Sequence, residues 1–201
     1  MTTALAIALA YVVGCLPFSF LMARLAADTD IRRIGDENVG AANVFRHAGL
    51  IAGIAALVGD VGKGALAVIA AQSLGAGWLL VLFTGLAVLA GHNWPVTLRF
   101  RGGRGASATT GVLLVLAPGG MLISLGLAAL LLFATRKMIW CSLGLFAPAP
   151  LFCWLLGGSF SLVAYAVALP ALVGLTHALT TRRLPEAAKR EAGMFWVAAQ
   201  R

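Results

Sequence analysis

Three stretches of this sequence hold most of the residues able to do chemistry, and all three suit anions. The first reads Gly35-Asp36-Glu37-Asn38-Val39-Gly40-Ala41-Ala42-Asn43-Val44-Phe45-Arg46, followed by His47. Small residues expose backbone N–H groups, Asn38 and Asn43 can donate through their amides, and Arg46 offers a planar cationic fork. That set suits phosphate or another anion. It also suits an ordinary helix-entry loop with Asp and Asn caps. The second stretch reads Gly91-His92-Asn93-Trp94-Pro95-Val96-Thr97-Leu98-Arg99-Phe100-Arg101-Gly102-Gly103-Arg104-Gly105. Its arginines alternate with apolar residues and glycines, and Gly102, Gly103 and Gly105 let a ligand approach the backbone while Arg101 and Arg104 neutralise its charge. A loop that only fixed orientation would need no Gly-Gly-Arg-Gly, so we read an anion site here. The third stretch is Thr176-His177, ahead of Thr180, Arg182 and Arg183. His177 is suited to donate to a phosphate or to relay a proton.

The elements that must position these stretches are membrane helices. Fourteen of the fifteen Lys and Arg fall in four short clusters, at 24–46, 99–104, 136–137 and 182–201. Moving a cation from water into hydrocarbon costs roughly 2.5 to 3.5 kcal/mol on insertion scales, so ionised groups gather outside the bilayer. A composition of 61% hydrophobic and 11% charged residues, with mean hydropathy +0.95, agrees. The net charge of +8 is then explained by loops facing the cytoplasm rather than by nucleic acid. Candidate spans lie at 3–25, 49–72, 77–97, 105–117, 120–135, 139–156 and 160–180, with 105–117 and 120–135 short. This predicts an all-α bundle of about seven transmembrane helices, two of them short, with 3–25 retained rather than cleaved. If the amino terminus is outside, seven crossings put 26–48, 98–104, 136–138 and 181–201 in the cytoplasm, as the positive-inside rule demands. Residues 1–180 form the transmembrane domain, and 181–201 a basic cytoplasmic tail with an amphipathic stretch.

Two ionisable residues fall inside a span. Asp60 and Lys63 sit three apart, share a helix face and can pair. The pair reads equally well as a self-neutralising structural feature or as an internal polar site. Cys15, Cys141 and Cys153 lie in apolar segments without metal-ligand spacing and are read as buried small hydrophobes, so neither a metal nor a cofactor is expected.

In order and spacing, Asn38-Val39-Gly40-Ala41-Ala42-Asn43-Val44-Phe45-Arg46, Asp60-Val61-Gly62-Lys63-Gly64 and the stretch from Gly91 to Gly105 resemble the bacterial acyl-phosphate:glycerol-3-phosphate acyltransferases. Cys141-Ser142-Leu143 resembles that family's Val-Ser-Leu segment. The likeness runs over roughly residues 5–180. It implies a multi-pass protein of the bacterial inner membrane, with its site near the cytoplasmic face. The implied partners are acyl phosphate, glycerol 3-phosphate and membrane lipids, with no nucleic acid and a monomeric chain. The implied product is lysophosphatidic acid, made by acylating the 1-hydroxyl. On this reading His177, Asn38 and Ser142 are catalytic. Arg46, Arg101, Arg104, Asn43, Gly40, Gly102 and Gly103 bind substrate phosphate, and Asp60, Lys63 and His92 support the site. Acyl phosphate is already activated, consistent with the lack of a His-x4-Asp dyad or a Gly-x-Ser-x-Gly elbow.

Some positions depart from the family's pattern. Asp36 stands where it has Ser, Ala42 where it has Thr, and Arg101 and Arg104 where it has Lys. Thr176 replaces an Arg, and Thr180 an Asn. A carboxylate at 36 should repel a phosphate unless it turns away. Two alternatives therefore accompany the enzyme: a relative of the same fold that binds lipid or phosphate without this activity, and a small transporter built on Asp60 and Lys63.

Overall fold

A computed structural model of the chain describes residues 3–192, with the backbone alone for 191 and 192, and these residues form helices without a strand. The first span is broken into α1 (Thr3–Gly14) and α2 (Phe18–Ala27). A short α3 (Ala41–Ala48) lies between it and α4 (Leu50–Ser73). Then come α5 (Trp78–Asn93), α6 (Ala106–Leu116), α7 (Pro118–Thr135), α8 (Met138–Phe146), α9 (Ala149–Leu155), α10 (Phe160–Thr181) and α11 (Glu186–Ala192). Six stretches are long and apolar enough to cross a membrane: 3–27, 50–73, 78–98, 118–135, 138–155 and 160–181. The 11-residue α6 is apolar but shorter than these six. Of the two segments expected to be short, α7 reaches 18 residues because Pro118 opens it, at a position where no N–H is needed. The sequence reading gave no helix at 41–48. Part of the expected tail, 193–201, lies outside the described residues.

The outer surface is apolar, as suits helices in hydrocarbon: Ile51 is 85% exposed, Phe133 86% and Phe160 80%. Helices meet through small residues. A Cβ on Gly64 would strike the Ala108 carbonyl and one on Gly111 the Val61 carbonyl, so α4 and α6 approach backbone to backbone. Gly14 and Gly91 do the same between α1 and α5. One buried cluster, with Val68, Val88, Val112, Leu113 and Leu169, fills the bundle. A second, with Ala23, Ile31, Val39, Val44, Ala56 and Leu98, seals the 28–49 segment onto it.

The break in the first span is tied down by polar groups from elsewhere. Pro17 has no N–H, and the backbone there leaves the helix. Lys63 Nζ donates to the Leu16 carbonyl at 2.8 Å, and Thr97 Oγ1 to the Cys15 carbonyl at 2.7 Å. Asp60 receives Lys63 at 2.8 Å and Ser19 Oγ at 2.6 Å, with His92 Nδ1 3.6 Å away. Asp60 and Lys63 are almost fully buried.

Removing one partner of such a pair leaves a charge stranded in a dry interior. Lys63→Met is expected to cost about 3 to 5 kcal/mol, whereas Asp60→Asn combined with Lys63→Met recovers most of the loss. Thermal unfolding of both variants in detergent checks the difference.

Candidate functional site

The 28–49 segment is shaped by two side chains. Asp30 caps the turn Ile31–Arg33 by accepting the Arg32 N–H at 3.1 Å. It also holds the Arg32 guanidinium in a fork, at 2.9 and 2.7 Å. Arg32 in turn draws the Asp30 carboxyl down to about 2. Asn43, fully buried on α3, donates from Nδ2 toward the carbonyls of Ile31, Ile34 and Asn38 at 3.3, 3.1 and 3.1 Å. One amide thereby gathers the loop around itself.

The 94–105 segment folds back on the end of α5. Gly102 N donates to the Asn93 carbonyl at 3.2 Å and Gly103 N to the His92 carbonyl at 3.1 Å. The fit is tight: a Cβ on Gly103 would run into the His92 imidazole, and one on Gly102 into the His92 carbonyl. Gly105 has φ +93, a left-handed conformation that favours glycine. Arg104, which follows Gly103, is thereby turned inward and buried.

Asp36 meets it there. Its Oδ2 accepts Arg104 Nη1 at 2.7 Å, its Oδ1 accepts Arg46 Nη2 at 2.9 Å, and its carbonyl accepts Arg104 Nη2 at 3.1 Å. From α10, Thr180 Oγ1 accepts Arg104 Nε at 3.1 Å, and Thr176 Oγ1 donates to the Arg104 carbonyl at 3.0 Å. Burial draws the Arg104 guanidinium below the usual arginine range, and the Asp36 carboxylate opposes the shift. Asp36 therefore does not turn away, as it would have to do to avoid repelling a phosphate. It is itself a ligand of both arginines, because two buried cations need a counter-ion.

In front of this network lies a cavity of about 490 Å³, the size of a small-molecule site. Arg32, Arg101, Arg104 and Arg183 bring positive charge to its wall, Asp36 and Glu37 negative charge. Trp94, Phe100, Leu179 and Leu184 are its apolar lining. Asn38, Gly102 and Gly103 also line it. Arg46 and Asn43 stand behind, joined to the wall through Asp36. Gly40 starts α3 against the Asn38 amide. His177 is half-buried on α10, between the wall residues Thr176 and Thr180, and is not itself part of the wall. Ser142 is half-buried on α8, likewise away from the wall. Asp60, Lys63 and His92 line a separate void of about 10 Å³. Sequence reasoning missed Arg32, Arg183 and Glu37 as wall residues, and Thr180 as a ligand of Arg104. The only signal for Arg183 was its place at the end of the last span.

The family model described as glycerol-3-phosphate acyltransferase matches residues 4–187. A relative named glycerol-3-phosphate acyltransferase 4, from Dehalococcoides mccartyi, is 44% identical over 177 residues, covering 87% of this chain and 95% of that protein. A glycerol-3-phosphate acyltransferase of Syntrophomonas wolfei is 37% identical over 92% of this chain and 94% of its own length. Among solved structures, the glycerol 3-phosphate form of PlsY (YgiH), an integral membrane glycerol 3-phosphate acyltransferase, superposes with a TM-score of 0.80. It is 29% identical to this chain, with 90% of each chain covered. The lysophosphatidic acid form of PlsY gives a TM-score of 0.76 at 27% identity, over 94% of this chain and 97% of that one.

The Asp30–Arg32 fork makes stability depend on acid. The folded carboxyl titrates at about 2 against 3.8 in a free chain, so the folded state binds fewer protons between those values. Its contribution, up to about 2 kcal/mol, is present above pH ~4 and is lost as pH falls toward ~2. Unfolding midpoints between pH ~2.5 and ~5 should fall steeply on acidification, and less steeply in Asp30→Asn.

Proposed function

The chain belongs to the glycerol-3-phosphate acyltransferase family, and on that premise we propose that acyl transfer takes place in the cavity between the 28–49 segment, the 94–105 segment and the end of α10. The protein is an integral membrane acyltransferase that moves a fatty acyl group from acyl phosphate to the 1-hydroxyl of glycerol 3-phosphate. The bond formed joins the hydroxyl oxygen to the acyl carbon. The bond broken is that from the acyl carbon to the phosphate oxygen, and the hydroxyl proton ends on the departing phosphate. Lysophosphatidic acid and inorganic phosphate result. Because phosphate is already a good leaving group, the protein's task is placement and charge compensation.

The observation that carries the site is a cationic, glycine-backed cavity where the charged segments converge. Two phosphate dianions about 6 Å apart in a medium of effective dielectric ~20 repel by on the order of 10 kcal/mol. Arg101, Arg104, Arg32 and Arg183 around one cavity are what such a pair requires, with Gly102 and Gly103 giving close approach. Arg101 and Arg104 contact phosphate in this reading, Asn38 orients substrate from the wall, and Arg46 and Asn43 act from behind. His177 on α10 and Ser142 on α8, neither of them in the wall, assist from outside the cavity lining in this reading. Trp94, Phe100 and Leu179 suit the start of the acyl chain. The transport reading loses its support, because Asp60 and Lys63 are paired with each other beside a void that holds about one water.

We place the chain in the bacterial plasma membrane, with the amino terminus outside and the cavity and basic tail on the cytoplasmic side. The uncharged turns at 74–77 and 156–159 and the charged ones at 28–49, 94–105 and 182–184 support this orientation.

Purified protein given acyl phosphate and labelled glycerol 3-phosphate should form lysophosphatidic acid, and acyl-CoA in place of acyl phosphate should give none. Product from neither donor, beside an active relative assayed in parallel, sinks the reading. In the active protein Arg101→Ala is expected to lower kcat/KM for glycerol 3-phosphate about 10²- to 10³-fold without altering membrane insertion.

A further inference from the structure

We propose that Asp36 is a positioning residue, a built-in counter-ion that, itself backed by Arg46, holds the Arg104 guanidinium in the geometry that receives substrate phosphate. The proposal rests on the acyltransferase reading of the cavity and adds to it the reason an anion-binding site contains a buried carboxylate. Its two oxygens are divided between the two arginines, at 2.9 and 2.7 Å. The side chains concerned are 4%, 1% and 9% exposed for Asp36, Arg46 and Arg104. Two guanidiniums so close together and so dry repel each other, and without an anion between them at least one would swing away. Asp36 prevents that before any substrate arrives.

Arg104 is held from several sides. Nε is taken by Thr180, Nη1 by the Asp36 carboxylate and Nη2 by the Asp36 carbonyl, while its own carbonyl accepts from Thr176. Each terminal nitrogen keeps a hydrogen outside these bonds, and the side chain still lines the cavity. The three bonds fix the guanidinium in place, and its remaining hydrogens are what it has left for a ligand. Residues 36, 104, 176 and 180 depart from the family pattern one by one, yet here they form a single hydrogen-bonded unit. A serine at 36 beside an arginine at 104 would take from Arg104 the carboxylate that its Nη1 now bonds. Asp36→Ser alone should therefore harm the site.

The experiment uses the full-length protein in detergent, comparing wild type with Asp36→Asn, Asp36→Ser and Asp36→Ala. Steady-state kinetics with acyl phosphate and glycerol 3-phosphate are measured, with unfolding midpoints alongside. Calorimetric binding of inorganic phosphate gives a readout that needs no turnover. In the folded variants kcat/KM for glycerol 3-phosphate is expected to fall about a hundredfold, the loss that misplacement of a binding group brings. Phosphate affinity falls with it, and added formate restores part of the rate to Asp36→Ala but none to wild type. A folded Asn or Ser variant with retained kcat and an equal or lower KM overturns the proposal, because the carboxylate would then be dispensable or a competitor of the substrate. If wild type forms no lysophosphatidic acid, the acyltransferase reading fails. The phosphate titrations still decide on Asp36, and equal affinities across the series overturn its role. Should every Asp36 variant fail to fold, Thr180→Val removes the Nε contact, along with the hydroxyl's bonds to the Thr176 and His177 carbonyls of its own helix, and keeps the side chain's size. A loss of phosphate affinity there supports the proposal, and an unchanged affinity overturns it.

Discussion

An ion pair in the middle of a membrane bundle must be surrounded by partners or not exist, and the architecture is organised around meeting that demand for Asp60 and Lys63. A lone buried charge costs several kcal/mol even after the surroundings relax. The carboxylate takes Ser19 from α2 and Lys63 from its own helix, and Lys63 takes the Leu16 carbonyl from the broken first span. His92, from α5, lies against the same carboxylate. Three spans are thus fixed around one charge, and the carbonyls of His92 and Asn93 then anchor Gly103 and Gly102. From the pair to the arginine loop the chain of contacts is continuous.

The anion site repeats this physics nearer the membrane surface, with the signs reversed. There the surplus is positive, and Asp36 is the group around which cations are arranged. The inner cluster pairs its two charges within the bundle and has beside it only about 10 Å³ of space. The outer one opens on about 490 Å³ lined by further arginines. A closed network stiffens a fold, whereas a network with charge left over binds.

Much of this was legible in the sequence because hydrocarbon imposes a blunt rule. The charge clusters and apolar runs located the passages to within a few residues, and the three-residue spacing of Asp60 and Lys63 foretold their contact. The α3 helix escaped, since Ala41–Ala48 mixes glycine-flanked small residues with Asn, Arg and His and resembles a capping loop. The site was read as a set of isolated side chains. Arg46, Arg101 and Arg104 looked equivalent on paper, yet Arg101 and Arg104 reach the cavity wall while Arg46 backs it through Asp36. Asp36 looked like a loss because its partners are 10 and 68 residues away, and no local pattern joins them. Thr180 looked like a loss for the same reason: Arg104, its partner, is 76 residues distant.

The interruption between α1 and α2 bears on how the protein is made. The carbonyls of Cys15 and Leu16 receive their hydrogen bonds from Thr97 and Lys63, groups that leave the ribosome dozens of residues later. The Leu16 carbonyl can fall back on the Phe18 N–H, but until Thr97 arrives the first segment enters the bilayer with the Cys15 carbonyl lacking that partner, at a cost of several kcal/mol where lipid cannot replace it. Its first passage is therefore a provisional state, either lingering in a hydrated environment or lying shallow until α4 and α5 follow. The early chain waits for the later one, and biogenesis of this bundle becomes cooperative across nearly half its length.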